Sequence, residues 1–166
     1  MKNLIILLTS ISISMASDGK ISGITYFDYS NTEDESAFNF NRQYFSYAVD
    51  ISSDIKFKVI FDVGRSATDL RLNTYLKKSQ IDYKTSYGKV SMGLIGTNTY
   101  GVQEKNWGYR FIEQSAIDRE GFSSTADIGV GFSRSLIDNL NMSLQVVNGE
   151  GFKQPQLDKY HKISIN

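Results

Sequence analysis

Cysteine is absent from the 166 residues, which excludes a disulfide framework and any thiolate metal site. Histidine occurs once, as His161, with no second histidine to share a metal or a catalytic proton. Proline also occurs once, so little interrupts extended chain. Neither charge sign is in excess. Lys and Arg number 18, as do Asp and Glu, and no basic balance draws the chain to nucleic acid. Long apolar runs are missing too. Residues 4–14 form one of signal-peptide length, too short to span a bilayer as a helix, and no later run is apolar enough. Residence in a membrane would therefore require a barrel. Phosphate-cradling loops, nucleophile elbows and zinc-binding helices are not found. Gly129-Val130-Gly131 fails as a dinucleotide fingerprint, because Arg134 stands where the third glycine belongs. No enzyme, cofactor or metal is expected.

What is present begins with a leader. Met1-Lys2-Asn3 is basic, the apolar run follows, and Ser14-Met15-Ala16 places small residues where a signal peptidase reads. Cleavage is expected after Ala16, giving a signal peptide over 1–16 and an exported domain over 17–166. Tyr and Phe, 10 each, favour strands.

The clearest signal is a period of two. Gln43, Phe45, Tyr47, Val49 and Ile51 alternate with Arg42, Tyr44, Ser46, Ala48 and Asp50. After Ser52-Ser53-Asp54, Ile55, Phe57, Val59, Phe61 and Val63 alternate with Lys56, Lys58, Ile60, Asp62 and Gly64. Successive strand side chains point to opposite faces, so each run has an apolar and a polar side, and the pair reads as an antiparallel hairpin. Similar runs are expected near 20–30, 76–87, 89–97, 124–133, 140–148 and 160–165, eight strands in all. Ile24 and Tyr26 break the pattern of the first strand by falling on its polar side.

Connections after the second, fourth and sixth strands read as short, and the others as long. Polarised loop length is a mark of outer-membrane barrels. Tyr29, Phe45, Tyr47, Tyr87 and Phe132 fall near strand ends of the apolar face, where interfacial girdles would sit. The fold class expected is all-β, a transmembrane antiparallel β-barrel. A soluble ligand-binding barrel, with its apolar face inside, is the competing architecture.

The stretch GTNTYGVQEKNWGYRFIEQSAIDREGFSSTADIGVGF at 96–132 is the most distinctive in the chain. With GKISGITYFDYS at 19–30 and FNFNRQYFSYAVDISSDIKFKVIFDVG at 38–64, it resembles the N-terminal part of Gram-negative porins of the phosphate-selective O/P type. The resemblance implies a sixteen-stranded, usually trimeric, water-filled barrel, whose long third external loop folds inward. The chain ends at Ile163-Ser164-Ile165-Asn166, without a terminal aromatic, and is expected to be the first half of such a barrel. The alternative is a complete eight-stranded barrel serving as anchor or adhesion module.

On the porin reading, Arg42, Lys56, Lys58, Lys78, Lys84, Asp50, Asp62 and Asp82 are the pore-lining candidates. Fixed wall charges attract and orient hydrated ions; the bland alternative is paired charges that keep the wall solvated. Lys105, Arg110, Arg119, Glu104 and Glu113 are the constriction-loop candidates. Arg can hold an anion such as phosphate in a two-pronged way; ordinary loop solvation is the alternative. Phe111, Ile112, Ser115 and Ala116 have the spacing of a short helix. Glu33-Asp34-Glu35 reads as a solvated loop, lacking the spaced ligands of a calcium loop. The expected partners are outer-membrane lipid, small hydrophilic solutes or anions, and two further copies in a homotrimer.

Overall fold

The structure, a computed structural model, describes residues 18–65 and 71–166. The leader read at 1–16 lies outside the described residues, as does most of the connection near 66–70. Eight antiparallel strands form one sheet: β1 (Lys20–Asn31), β2 (Ser36–Asp50), β3 (Ile55–Arg65), β4 (Leu72–Thr85), β5 (Gly88–Gly96), β6 (Ala126–Ile137), β7 (Leu140–Val147) and β8 (Lys162–Ile165). Each lies beside its neighbours in sequence, so the sheet is a meander with β1 and β8 at its edges, and it does not close on itself. Helices α1 (Asn98–Trp107) and α2 (Ala116–Arg119) fall between β5 and β6. No helix of the described residues is long and apolar enough to cross a membrane.

Turn chemistry matches the short ends. In the β2–β3 turn, Ile51 N donates to Ile55 O at 2.8 Å, and Ser52 Oγ accepts from Ile55 N at 3.1 Å. The two-residue turn between β6 and β7 puts Asn139 at φ 66°, a left-handed conformation asparagine tolerates.

The first connection departs from expectation. β2 begins at Ser36, not near residue 41, and only residues 32–35 link it to β1. Thr32 closes that turn, its N donating to Glu35 O at 2.8 Å and its Oγ1 accepting from Glu35 N at 3.1 Å. The cause is a bulge. Tyr26 pairs with Arg42 and Phe27 with Phe40, leaving Asn41 as an extra residue. One extra residue moves the outward face from odd to even numbers, so Phe38 and Phe40 continue the face of Phe45 and Tyr47 out of phase. Loop length is accordingly polarised by the connections at 97–125 and 148–161, not by the first.

A second bulge does the same in β4. Ile60 pairs with Lys78 and Phe61 with Leu76, leaving Lys77 extra. Lys77 and Lys78 consequently both line the inner cavity. That inner side is formed by curling of the sheet: one cavity collects Ile24 of β1, Lys78 of β4 and Gln145 of β7.

The burial is inverted relative to a soluble sandwich. Among the described residues the buried apolar side chains are Ile95, Tyr100, Ala126 and Val147, whereas thirty large hydrophobic ones are exposed. Many of the latter form the outward face, including Phe27, Phe38, Phe45, Phe61, Ile81, Val130 and Ile163. Asp62 is 2% and Asp127 3% exposed. Deleting Lys77 should remove the β4 bulge and break the contacts of Asp62, lowering the denaturation midpoint followed by circular dichroism. Lys77→Gln, which keeps the bulge, should cost less.

Candidate functional site

The candidate site is the inner face of the curled sheet with the segment folded onto it. At the loop-bearing end, β2, β3 and β4 meet around one carboxylate. Asp62 Oδ2 lies 3.3 Å from Arg42 Nη1 and 3.4 Å from Lys77 Nζ. Lys77 Nζ also donates to Tyr44 Oη at 3.3 Å and stands 4.4 Å from the centroid of that ring. A carboxylate this buried persists only if paired. The register supplies the pairing, since Tyr44 faces Asp62 and the β4 bulge adds Lys77.

Further along the wall, Asp82 accepts from Gln80 Nε2 at 3.0 Å and from Ser91 Oγ, with Lys89 Nζ at 3.5 Å. Lys56 and Asp50 pair at 3.0 Å across the turn end, both largely exposed, which is worth little. Lys84 lines the same mouth. Lys58 sits opposite Ala48 and Gln80 in register. Among the described residues no carboxylate lies within ion-pair distance of Lys58, Lys78, Lys84 or Lys105.

The 97–125 segment is held against the wall by polar contacts. The N–H of Asn98 donates to Gln145 Oε1 at 2.8 Å, and Gln145 Nε2 donates to Gly96 O at 2.8 Å. Asn98 Nδ2 donates to Ser143 Oγ at 3.0 Å, and Ser164 Oγ donates to Asn98 Oδ1 at 2.7 Å. The first N–H groups of a helix lack internal partners. Thr97, the N-cap residue, makes no side-chain cap bond, and Gln145 satisfies the Asn98 N–H from β7 instead. Gly131 leaves the room for Gln145: a Cβ there would lie 3.1 Å from its Cγ.

Within the segment, Arg110 bridges Glu104 at 3.7 Å and Asp118 at 3.6 Å. The buried Ser115 donates to Glu104 Oε2 at 3.2 Å. Burial, then the carboxylates of Asp118 and Glu104, push the Tyr100 phenol above its ordinary value, so it stays protonated as a donor. Trp107 Nε1 donates to Glu113 O at 3.0 Å and its ring meets Tyr109 edge-on at 5.8 Å. These aromatics brace the segment internally.

The structure thus brings together Arg42, Lys78, Asp62, Glu104, Lys105 and Arg110 on or beside one cavity of about 620 Å³. Asp50, Lys56, Asp82 and Lys84 gather at the turn end. Glu113 faces a smaller recess with Arg42 and Arg110. Arg119 pairs with Glu120 at 3.0 Å on the exposed side of the segment. The helical spacing at 111–116 does not mark the main helix, which runs Asn98–Trp107. That helix is largely polar and has no apolar stripe to read. Lys77, Tyr100 and Gln145 are not singled out by the sequence. Lys77 was hidden by the bulge, and Gln145 looked like any polar-face residue.

Comparison with family models, curated proteins and solved structures finds no match.

Replacing Asp62 by Ala should strand two cations on the wall and cost about 3–5 kcal/mol of stability, measured by chemical denaturation. Asp50→Ala, at the exposed pair, should cost no more than about 1 kcal/mol.

Proposed function

We propose that this chain is an outer-membrane porin, or the first half of one. Its strands would cross the bilayer within a transmembrane β-barrel, its polar face lining a water-filled passage for small hydrophilic solutes and ions. The carrying observation is the outward face. Phe38 is 85% and Phe27 74% exposed, with nothing packed over them, while charge is gathered inside. A soluble protein rarely leaves an apolar surface of that extent bare, and lipid is the solvent that suits it. A soluble ligand-binding barrel would carry the opposite polarity on each strand.

The segment 97–125 is the constriction on this reading, since it crosses the inner face and is tied to β7 and β8. Anion preference follows from the lining. Of the cationic side chains that border the cavity, Lys77, Lys89 and Arg110 are paired with carboxylates whereas Lys78 and Lys105 are not, and uncompensated positive charge of this kind concentrates anions. The leader would route the chain to the outer membrane of a bacterium. Lipid, permeating solutes and two further copies of the chain are its partners, and the open edges β1 and β8 pair with further strands.

The full chain refolded into planar bilayers should conduct, with a reversal potential in a salt gradient displaced toward that of the anion. A nitroxide at Phe57 should be relaxed by oxygen and one at Lys58 by a water-soluble nickel complex. Aqueous access at Phe57, with no conductance, would falsify the proposal. Joint replacement of Asn98 and Gln145 by Ala should release the constriction and raise single-channel conductance.

A further inference from the structure

We propose that the inner cavity selects amphipathic organic anions: a carboxylate carrying a compact hydrocarbon body. This rests on the reading of the inner face as a wet passage and names the solute class it favours.

The observation is a break in the polar wall. Ile24, Tyr26, Tyr44 and Ile60 all stand on the inner face and all line the 620 Å³ cavity. Ile24 pairs with Tyr44 across β1 and β2, and Ile60 lies diagonally beyond it, opposite Ser46. The Tyr26 and Tyr44 rings meet edge to face at 6.3 Å. Their inner-face neighbours are of another kind: Ser22, Ser46, Gln80, Ser91.

Core packing does not account for the patch. Inner-face apolar residues that serve as core are closed off: Ile95 is 1% exposed and Val147 3%. Ile24, on the edge strand β1, is 55% exposed and gains correspondingly less by burial. A threonine would serve the strand as well and meet water better. An exposed isoleucine beside two tyrosines on a polar wall gains free energy when a solute's apolar surface covers it.

The neighbouring strand and the constriction supply the charge. Lys78 stands across from Ile60 in register and has no ion-pair partner among the described residues. Gly96 gives it room: a Cβ there would sit 2.6 Å from Lys78 Nζ. Lys105 borders the same space from α1. An apolar patch on β1–β3, flanked by Lys78 on β4 and Lys105 on the constriction, complements a solute with one greasy and one anionic end. An inorganic anion would use only the second half. The volume suits a small organic molecule.

The test is equilibrium binding to the full chain in detergent micelles, read by ligand-observed NMR, with protein-free micelles as blank. Benzoate, acetate and inorganic phosphate are the probes. Benzoate should bind roughly tenfold or more tightly than acetate, and phosphate no better than acetate. Ile24→Thr with Ile60→Thr should erase the benzoate advantage. Should the double variant fail to fold, Ile24→Thr alone, at an exposed edge position, should reduce it. Lys78→Gln should weaken benzoate and acetate alike. Benzoate binding equal to acetate, or phosphate binding tightest, overturns the inference. Conductance measured separately keeps the two readings apart: a conducting chain without benzoate preference defeats this inference alone. Benzoate preference in a chain that does not conduct upholds the site and defeats the pore.

Discussion

Everything in this fold follows from an inversion of solvent preference. A β-strand with alternating apolar and polar residues must give one face to water and the other to something else. Here the apolar face looks outward, uncovered, and the polar face looks toward a partly filled interior. The consequences are electrostatic. Charged groups on a curled inner wall are partly withdrawn from water, and each then needs a counter-charge or a hydrogen bond. Asp62 meets that requirement with Arg42 and Lys77, and Asp82 with Lys89, Gln80 and Ser91. Wall charges of this kind are committed to the structure by their pairing whatever else they do, which is why the sequence alone could not assign them to one role.

The same inversion explains how the inward segment is held. A segment on a polar wall has little apolar surface to bury, so hydrophobic packing is a weak tether there. Side-chain amides and hydroxyls replace it. Asn98 engages Gln145, Ser143 and Ser164 on two adjacent strands, and Arg110 ties the start of the segment to its far end through Glu104 and Asp118. The small apolar cluster that does exist, Ile95, Ala126 and Val147, lies where the segment leaves and re-enters the sheet.

Much of the strand framework was legible because a period of two survives any tertiary context that gives the two faces of a sheet different surroundings. The hairpin of β2 and β3 was read from Arg42 to Gly64 nearly as it stands. What escaped were phase changes. Asn41 and Lys77 each insert one residue, and a one-residue insertion turns a clean alternation into apparent noise. The alternation that is clear from Arg42 onward therefore does not carry back through residues 36–40, and Lys77 falls on neither face of the pattern. The helix Asn98–Trp107 escaped for a different reason. Its sequence, NTYGVQEKNW, carries neither an apolar stripe nor a capping side chain, and its position depends on Gln145, 47 residues away. Local sequence contains no record of such a contact. The site was legible as a set of charges but not as a geometry.

Ile24 and Tyr26 show what an exception to a pattern is worth. Alternation is enforced only where a residue's face has a solvent to match, so a mismatch persists when its cost is small or when something offsets it. A single apolar residue on a wet wall falls in the first class. Four that converge across three strands, beside an ammonium group with no carboxylate within ion-pair distance, do not, because the contacts of Tyr44 with Lys77 and Tyr26 repay only the tyrosines. The offset must come from outside the chain, and its chemistry is fixed by what surrounds the gap: hydrocarbon on one side, positive charge on the other. A wall built only to pass hydrated ions would need neither the isoleucines nor their placement beside Lys78.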